Sequence, residues 1–403
     1  MTPPLPKHAD IVVIGGGIMG TSIAWQLASR GFKRVVLIER DLIAAGASGR
    51  TGALLRQHYS NIPEATLASK SLAIFRDWNE VVGGDIGFVE SGLIVPIPTL
   101  NGYEDNIPRM QGVTSQLQSL GVAIEMVDAD QLRGIDPAAR FDDVGYATFE
   151  SQSGYVDAIA ATQSMTIAAI RAGAIILEGI IVLGIVGSGS RVTAVETSAG
   201  SITTDRVVLA AGPWSTALAP TVGLELPITA QRVQVAIFQT PVSLPQSTRT
   251  YVDNVAAIFC RPWGPGRTMA GLGGGEVHDL VDPDSYEWRN DPHVPELIRA
   301  AMAVRFPSFE HARFLHGHAG LYDMTPDGHP IIGSAGPDGL YLVAGFSGAG
   351  FKKGPAVGIA VAGAIAGDPV EWIELAPFRL HRDWHTPWSP YEYRLASDFG
   401  HGF

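Results

Sequence analysis

Gly15, Gly17, Gly20 and Glu39 carry the clearest chemical signal in this chain. A glycine at the first position allows a tight turn, and one at the second lets backbone approach a pyrophosphate. The third lets a helix pack closely on a strand, and the N-terminus of that helix attracts phosphate charge. A carboxylate at Glu39 can accept hydrogen bonds from both hydroxyls of a ribose. It would repel a 2′-phosphate, which argues against NADP. These residues make a dinucleotide site only inside a β-α-β unit.

That unit is legible. The apolar run Ile11–Ile14 reads as a buried parallel strand, residues 18–29 have helical periodicity, Gly31 ends the helix, and Val35–Ile38 is a second strand closed by Glu39. A glycine- and alanine-rich stretch, residues 44–52, follows. Residues 63–82 read as one helix, 88–96 as a strand, and 106–120 and 128–133 as helices. Residues 175–186, 191–197 and 201–204 alternate as a three-stranded antiparallel meander that returns into a parallel core strand at 207–209. That strand ends in small residues, Ala210, Ala211 and Gly212, before Trp214, where backbone can lie close to a ligand. Residues 227–273 are strand-rich, 295–306 helical, and 340–366 repeat the strand, glycine turn, helix order. One domain is therefore built from separated pieces with another inserted between them.

The composition sets limits. A chain of 403 residues exceeds one simple core and suits two domains. A net charge of −12 argues against nucleic acid and anionic membranes as partners. A single cysteine, Cys260, excludes a disulfide framework and a cysteine-cage metal site, and fits a reducing cytoplasm. No metal is expected, because His58, His316, His318 and His329 show no ligand spacing. His316 and His318 read as packing or loop residues. The apolar stretch 355–366 is too short to span a bilayer and is stopped by Gly367.

Four motifs together resemble the D-amino-acid-oxidase-like superfamily of FAD-dependent oxidoreductases, in the branch of monomeric sarcosine oxidase, glycine oxidase and the sarcosine oxidase β subunits. They are GGGIMG with Glu39, VVLAAGPWS ending at Ser215, GLYDMTPDGHPIIG starting at Gly320, and VAGFSGAGFKKGPAVG starting at Val343. The resemblance covers nearly the whole chain. It implies an α/β fold with a Rossmann-like FAD-binding domain from residues 1–88, 148–225 and 318–403, and an antiparallel-sheet substrate domain from 89–147 and 226–317. It assigns to the cofactor Gly15, Gly17, Ile18, Met19, Gly20, Glu39 and Arg40, the loop residues Ser48, Gly49, Thr51 and Gly52, and Val182, Ala211, Gly212 and Trp214. The late turn adds Gly345, Phe346, Gly348, Gly350, Phe351 and Lys352.

Departures from the family pattern carry information as well. The cysteine that anchors FAD in monomeric sarcosine oxidase is here Gly320, and the histidine anchor of dimethylglycine-type dehydrogenases falls near Arg50 or Thr51. FAD is therefore expected to be non-covalent. The arginine that holds substrate carboxylate in glycine oxidase is here Tyr322, whereas Arg56 and Lys352 match the carboxylate-binding pair of the sarcosine oxidase branch. The lysine that promotes oxygen reaction in that branch aligns with Met269, two positions after Arg267, which puts oxidase activity in doubt. Phe259 and Gly273 replace an active-site tyrosine and histidine. Arg261 shares a strand face with Phe259 and is expected to meet an acidic group, either a protein carboxylate or a second carboxylate on the substrate.

The resemblance implies oxidation of a small amino acid, a secondary amine such as an N-substituted glycine or a cyclic imino acid, by hydride transfer from the α-carbon to flavin N5, giving an imine that hydrolyses. The acceptor would be O2 or another oxidant. A flavin-carrying subunit of a hetero-oligomeric dehydrogenase is the alternative, and homo-oligomer and hetero-subunit both stay open. A coincidental likeness in an NAD(P)-dependent dehydrogenase is the third reading.

Overall fold

The computed structural model describes residues 4–244, 249–273 and 279–395; the remaining parts of the expected domain ranges lie outside the described residues. A six-stranded sheet takes the order Ile331–Ser334, Leu340–Ala344, Val207–Leu209, Ile11–Ile14, Val35–Ile38, Ile175–Leu177. All its neighbours run parallel except the first pair. Its strands come from the early, middle and late chain, as the motif positions require. Ile11 and Val13 face a core built with helices, whereas Val12 and Ile14 face a second core built with the meander. A strand covered on both faces must be apolar at every position, hence the unbroken runs.

On the first face, Ile18–Ser29 packs against Gly354–Ala366 and Ala158–Arg171. Small residues permit the contact: a Cβ on Gly358 would lie 2.0 Å from Ser22 Oγ. On the second face lies the three-stranded meander, Val182–Ser188, Arg191–Thr197 and Gly200–Thr203.

Among the described residues the larger sheet has nine strands, centred on Thr229–Gln239, Arg267–Leu272, Ile258–Pro262 and Thr250–Asp253. The long Phe314–Met324 strand pairs with Thr229–Gln239 along most of its length. This sheet is antiparallel as expected except where Thr250–Asp253 runs parallel to Leu93–Ile97. The expected boundaries at 148 and 318 fall inside two of its strands, Tyr146–Glu150 and Phe314–Met324. Its own core is closed by the Val294–Arg305 helix, through Val294, Ile298 and Met302.

Local departures have local causes. The helix expected over 63–82 is two, Ile62–Arg76 and Trp78–Val81, meeting at Asp77. Asn61 caps the first by accepting from Glu64 N at 2.9 Å. The strand expected over 88–96 is Leu93–Ile97. The strand expected over 175–186 is two, because Gly179 adopts φ +73° between them. The helix Ala158–Arg171 carries no strong sequence signal: isoleucines 159, 167 and 170 are solvent-exposed, which blurs its amphipathic pattern.

Candidate active site

A cavity of about 1260 Å³ runs between the two large sheets. One end is formed by the glycine turn after Ile11–Ile14. Here a Cβ on Gly15 would lie 2.4 Å from Ala210 O, and one on Gly16 would lie 2.7 Å from Ile43 Cδ1. The Ile18–Ser29 helix starts at Gly17 with no side-chain cap and no acidic residue in its first turn, so it presents its positive end to the cavity. Ser48 Oγ accepts from Ile18 N at 2.9 Å and ties the 44–52 loop to that end. Glu39 accepts from Gly16 N at 2.7 Å through Oε2 and from Asp41 N at 2.9 Å through Oε1. Each carboxylate oxygen keeps a lone pair for a further donor. At the rim, Asp284 accepts from Arg40 at 2.5 Å and from Trp214 Nε1 at 2.7 Å, while the Arg40 guanidinium lies 4.6 Å from the Trp214 ring.

The middle of the cavity is walled by the 50–56 loop and by residues 346–352. Two non-glycine residues here, Ala53 and Ser347, take left-handed backbone, with φ of +50° and +48°. The late turn is pinned by Asp323, whose Oδ2 accepts from Gly345 N at 2.7 Å and whose carbonyl accepts from Ser347 N at 3.1 Å. Burial pushes the Asp323 carboxyl up to about 6, against backbone hydrogen bonds from Gly345, from Asp323 itself and from Phe346. Sequence reading missed Asp323.

Arg56, Lys352 and Tyr322 share the inner wall with Phe259, Leu321, Val235 and Asn254. Arg56 is 7% exposed and Lys352 9%. Arg56 lies over the Tyr59 ring at 4.6 Å. Burial raises the Tyr322 hydroxyl above its ordinary value, with Arg56 opposing, and the tyrosine ring sits against Gly348, where a Cβ would lie 2.7 Å away. Burial, then Arg56, then Lys353 hold the Lys352 ammonium well below its ordinary value, with Glu64 opposing.

Behind Lys352 lies a buried polar cluster that the sequence did not reveal. Lys353 Nζ pairs with Glu64 Oε1, and Glu64 Oε2 accepts from Asn61 Nδ2 at 3.0 Å and meets His329 Nδ1 at 2.6 Å. Burial alone would raise the Glu64 carboxyl, but Lys353 and His329 hold it well below the carboxylate range. The second lysine of Lys352-Lys353 in an apolar turn was the available signal. Asp327, expected in a turn, receives both arms of Arg382, at 2.7 and 2.8 Å.

Most sequence-assigned residues line the cavity: Gly15, Gly17, Ile18, Met19, Glu39, Arg40, Ser48, Thr51, Gly52, Val182, Ala211, Gly212, Trp214, Phe346, Gly348, Gly350, Phe351, Lys352, Arg56 and Tyr322. Gly20, Gly49 and Gly345 are off the wall and serve close packing: a Cβ on Gly20 would lie 1.9 Å from Gly15 O, and one on Gly49 would lie 2.2 Å from Ala44 O.

Arg261 is also off the wall, away from where a second substrate carboxylate was expected, and the acid whose charge reaches it is Asp157, which makes no ion pair with it. Its Nε donates to Gly52 O at 2.5 Å and Nη1 to Pro262 O at 2.8 Å, and its guanidinium lies 4.4 Å from the Tyr155 ring and 4.5 Å from the Trp263 ring. Carbonyls and π faces make its direct contacts, with Asp157 acting on it at longer range. Burial lowers the group to about 10. Met269 is fully buried beneath Gly52, and Arg267 is exposed at the strand end. His58 is fully enclosed between Thr148 Oγ1 at 2.9 Å and the Tyr393 hydroxyl at 3.0 Å. Burial and Arg56 push it down to about 3, so it stays neutral. His318 donates through Nε2 to Arg50 O at 3.2 Å and props the loop, whereas His316 is exposed.

The fold and this cavity define a flavin-dependent oxidoreductase, and the chain belongs to the FAD dependent oxidoreductase family, whose model matches residues 10–364. It is 28% identical over 386 residues to a sarcosine oxidase subunit beta of an Arthrobacter species, covering 94% of this chain and 92% of that one. It is also 28% identical to a glycine oxidase of Geobacillus kaustophilus, covering 93% and 97%. Among solved structures it superposes on L-proline dehydrogenase from P. horikoshii with a TM-score of 0.84 at 24% identity, covering 94% and 98%.

The residues present fit FAD. The glycine turn packs so tightly against its neighbours that any Cβ would collide, which leaves bare backbone lining the cavity; the helix N-terminus suits a pyrophosphate, and Glu39 suits a ribose. Cys260 is fully buried and is not part of the cavity wall, so it offers no thiol for attachment. Among the described residues no helix is long and apolar enough to cross a membrane.

Proposed function

We propose that this enzyme oxidises a small α-amino acid bearing a secondary amine, an N-substituted glycine or a cyclic imino acid. The observation that carries this reading is the pair of buried basic side chains, Arg56 and Lys352, on a cavity wall they share with Tyr322 and the apolar Val235, Leu321 and Phe259. A carboxylate meeting both forms charge-assisted contacts, while the apolar remainder suits the carbon skeleton. When bound, FAD supplies the hydride acceptor for the α-C–H bond. Arg56 and Lys352 fix the carboxylate and so orient the α-carbon. Tyr322, beside Arg56, can donate its hydroxyl proton as a hydrogen bond to the same carboxylate. The positive field of this corner disfavours an ammonium and helps the amine reach its neutral form. The relatives named as β subunits support a second reading, a flavin-carrying subunit of a hetero-oligomeric dehydrogenase.

The test is anaerobic flavin bleaching against N-methyl, cyclic and primary amino acids. Arg56→Met and Lys352→Met should each retain FAD and lose ~10–150-fold in kred/Kd, the effect of one charge-assisted contact. Wild-type kred/Kd in both variants removes them from the substrate site. Size-exclusion chromatography combined with turnover of the isolated chain separates a free-standing enzyme from a subunit.

A further inference from the structure

Arg56 and Lys352 line the inner end of the cavity with Lys353 buried behind them, and two buried carboxylates lie near the three basic groups, Glu150 by Arg56 and Glu64 by the lysines. Arg56 comes from the early loop, Lys352 and Lys353 from the late turn, and Glu64 from the Ile62–Arg76 helix. Glu64 is fully engaged by Lys353, His329 and Asn61. Asp323, the nearest acid on the Phe314–Met324 strand, is turned to Gly345 N. Tyr322 adds a neutral hydroxyl, Tyr59 a buried ring, and His58 a neutral imidazole. Lys352 has no hydrogen-bond or ion-pair partner among the described residues and is 9% exposed. An ammonium in that setting would be desolvated, unpaired and repelled by two neighbours, each of which favours the free amine.

We propose that Lys352 meets the substrate as the free amine and takes the proton that the substrate ammonium must lose. The inference rests on the carboxylate reading given above. A zwitterion arrives with one proton too many on nitrogen. Its N–H bond breaks, the electron pair stays on the substrate nitrogen as the lone pair needed for oxidation, and an Nζ–H bond forms on Lys352. The new ammonium is no longer unpaired, because the substrate carboxylate lies against it. The charge of the corner after binding is that of one carboxylate and two cations facing it, and no proton need leave for solvent. Lys352 is thus a proton acceptor as well as an anchor.

Acetate isolates this step, since it brings the carboxylate without the proton. It is titrated calorimetrically into FAD-loaded protein at pH 8 in two buffers of different ionisation enthalpy, with flavin absorbance recording occupancy. Wild type should take up close to one proton per acetate, and acetate affinity should fall ~tenfold per pH unit above the ionisation of Lys352. Lys352→Arg, cationic throughout, should bind acetate with no uptake. Acetate bound by wild type without proton uptake, and with affinity flat from pH 7 to 9, overturns the proposal and leaves the carboxylate site standing. Uptake that persists in Lys352→Arg also overturns it. Failure of acetate to perturb the flavin at all overturns the carboxylate reading, and the proposal with it. The wild-type pH profile decides the matter should the variant not fold.

Discussion

Replacing Glu64 with glutamine should destabilise the protein far more than a change of one atom suggests. Glu64 is 1% exposed and Lys353 is fully buried, so the variant leaves a lysine ammonium in the interior without its anion. Removing one partner of such a pair costs about 3–5 kcal/mol. Unfolding entropy near ~2.1 cal/mol/K per residue over 403 residues comes to about 0.85 kcal/mol/K, so Tm should fall by about 4–6 °C. The pH dependence has a definite sign. The folded-state carboxyl lies below its ordinary value of 4.5, so its contribution is complete above that value and is lost as pH falls through the folded one. The gap in Tm between wild type and Glu64→Gln should therefore hold steady from pH 8 to about 5.5 and narrow below 4.5. Differential scanning fluorimetry of the FAD-loaded proteins across that range measures it. A gap under 1 °C, or one as wide at pH 4 as at pH 7, would refute the idea that this pair anchors the late turn.

Gly20→Ala should cost the protein its flavin, because the new methyl would lie 1.9 Å from Gly15 O and must push the helix off the phosphate turn; the ratio of flavin to protein absorbance after purification reads this, and full occupancy would contradict it. Arg261→Met removes the donor that holds Gly52 O and should weaken FAD binding by ~5–10-fold, the effect of about one hydrogen bond, without changing the preference between mono- and dicarboxylic substrates. A selective loss toward dicarboxylic substrates would restore Arg261 to the substrate site. Reduced enzyme should reoxidise slowly in air compared with an artificial acceptor, since Met269 is apolar and Arg267 lies outside the cavity wall, so neither supplies a cation for developing superoxide. Stopped-flow mixing with oxygen checks this, and fast reoxidation would show that another cation of the wall, such as Arg56, serves.

What the sequence determined by itself was local. The glycine turn, its helix, its two strands and Glu39 lie within about thirty residues, and each element is dictated by periodicity and glycine placement. The meander and the late strand, turn and helix were legible for the same reason, whereas Arg56 and Lys352 were singled out by the family resemblance. Tertiary structure decided whatever depends on distant partners. Arg261 looked like a cation awaiting an acid until its strand brought it to Gly52, 209 residues away. Glu64 meets His329 and Lys353 across 265 and 289 residues, and the strand of Asp323 reaches the late turn only by pairing with Thr229–Gln239. Periodicity reports which face of an element is buried, but not which other element covers it, and at this site Arg56 and Glu64 reach Lys352 from elements nearly 300 residues earlier in the chain.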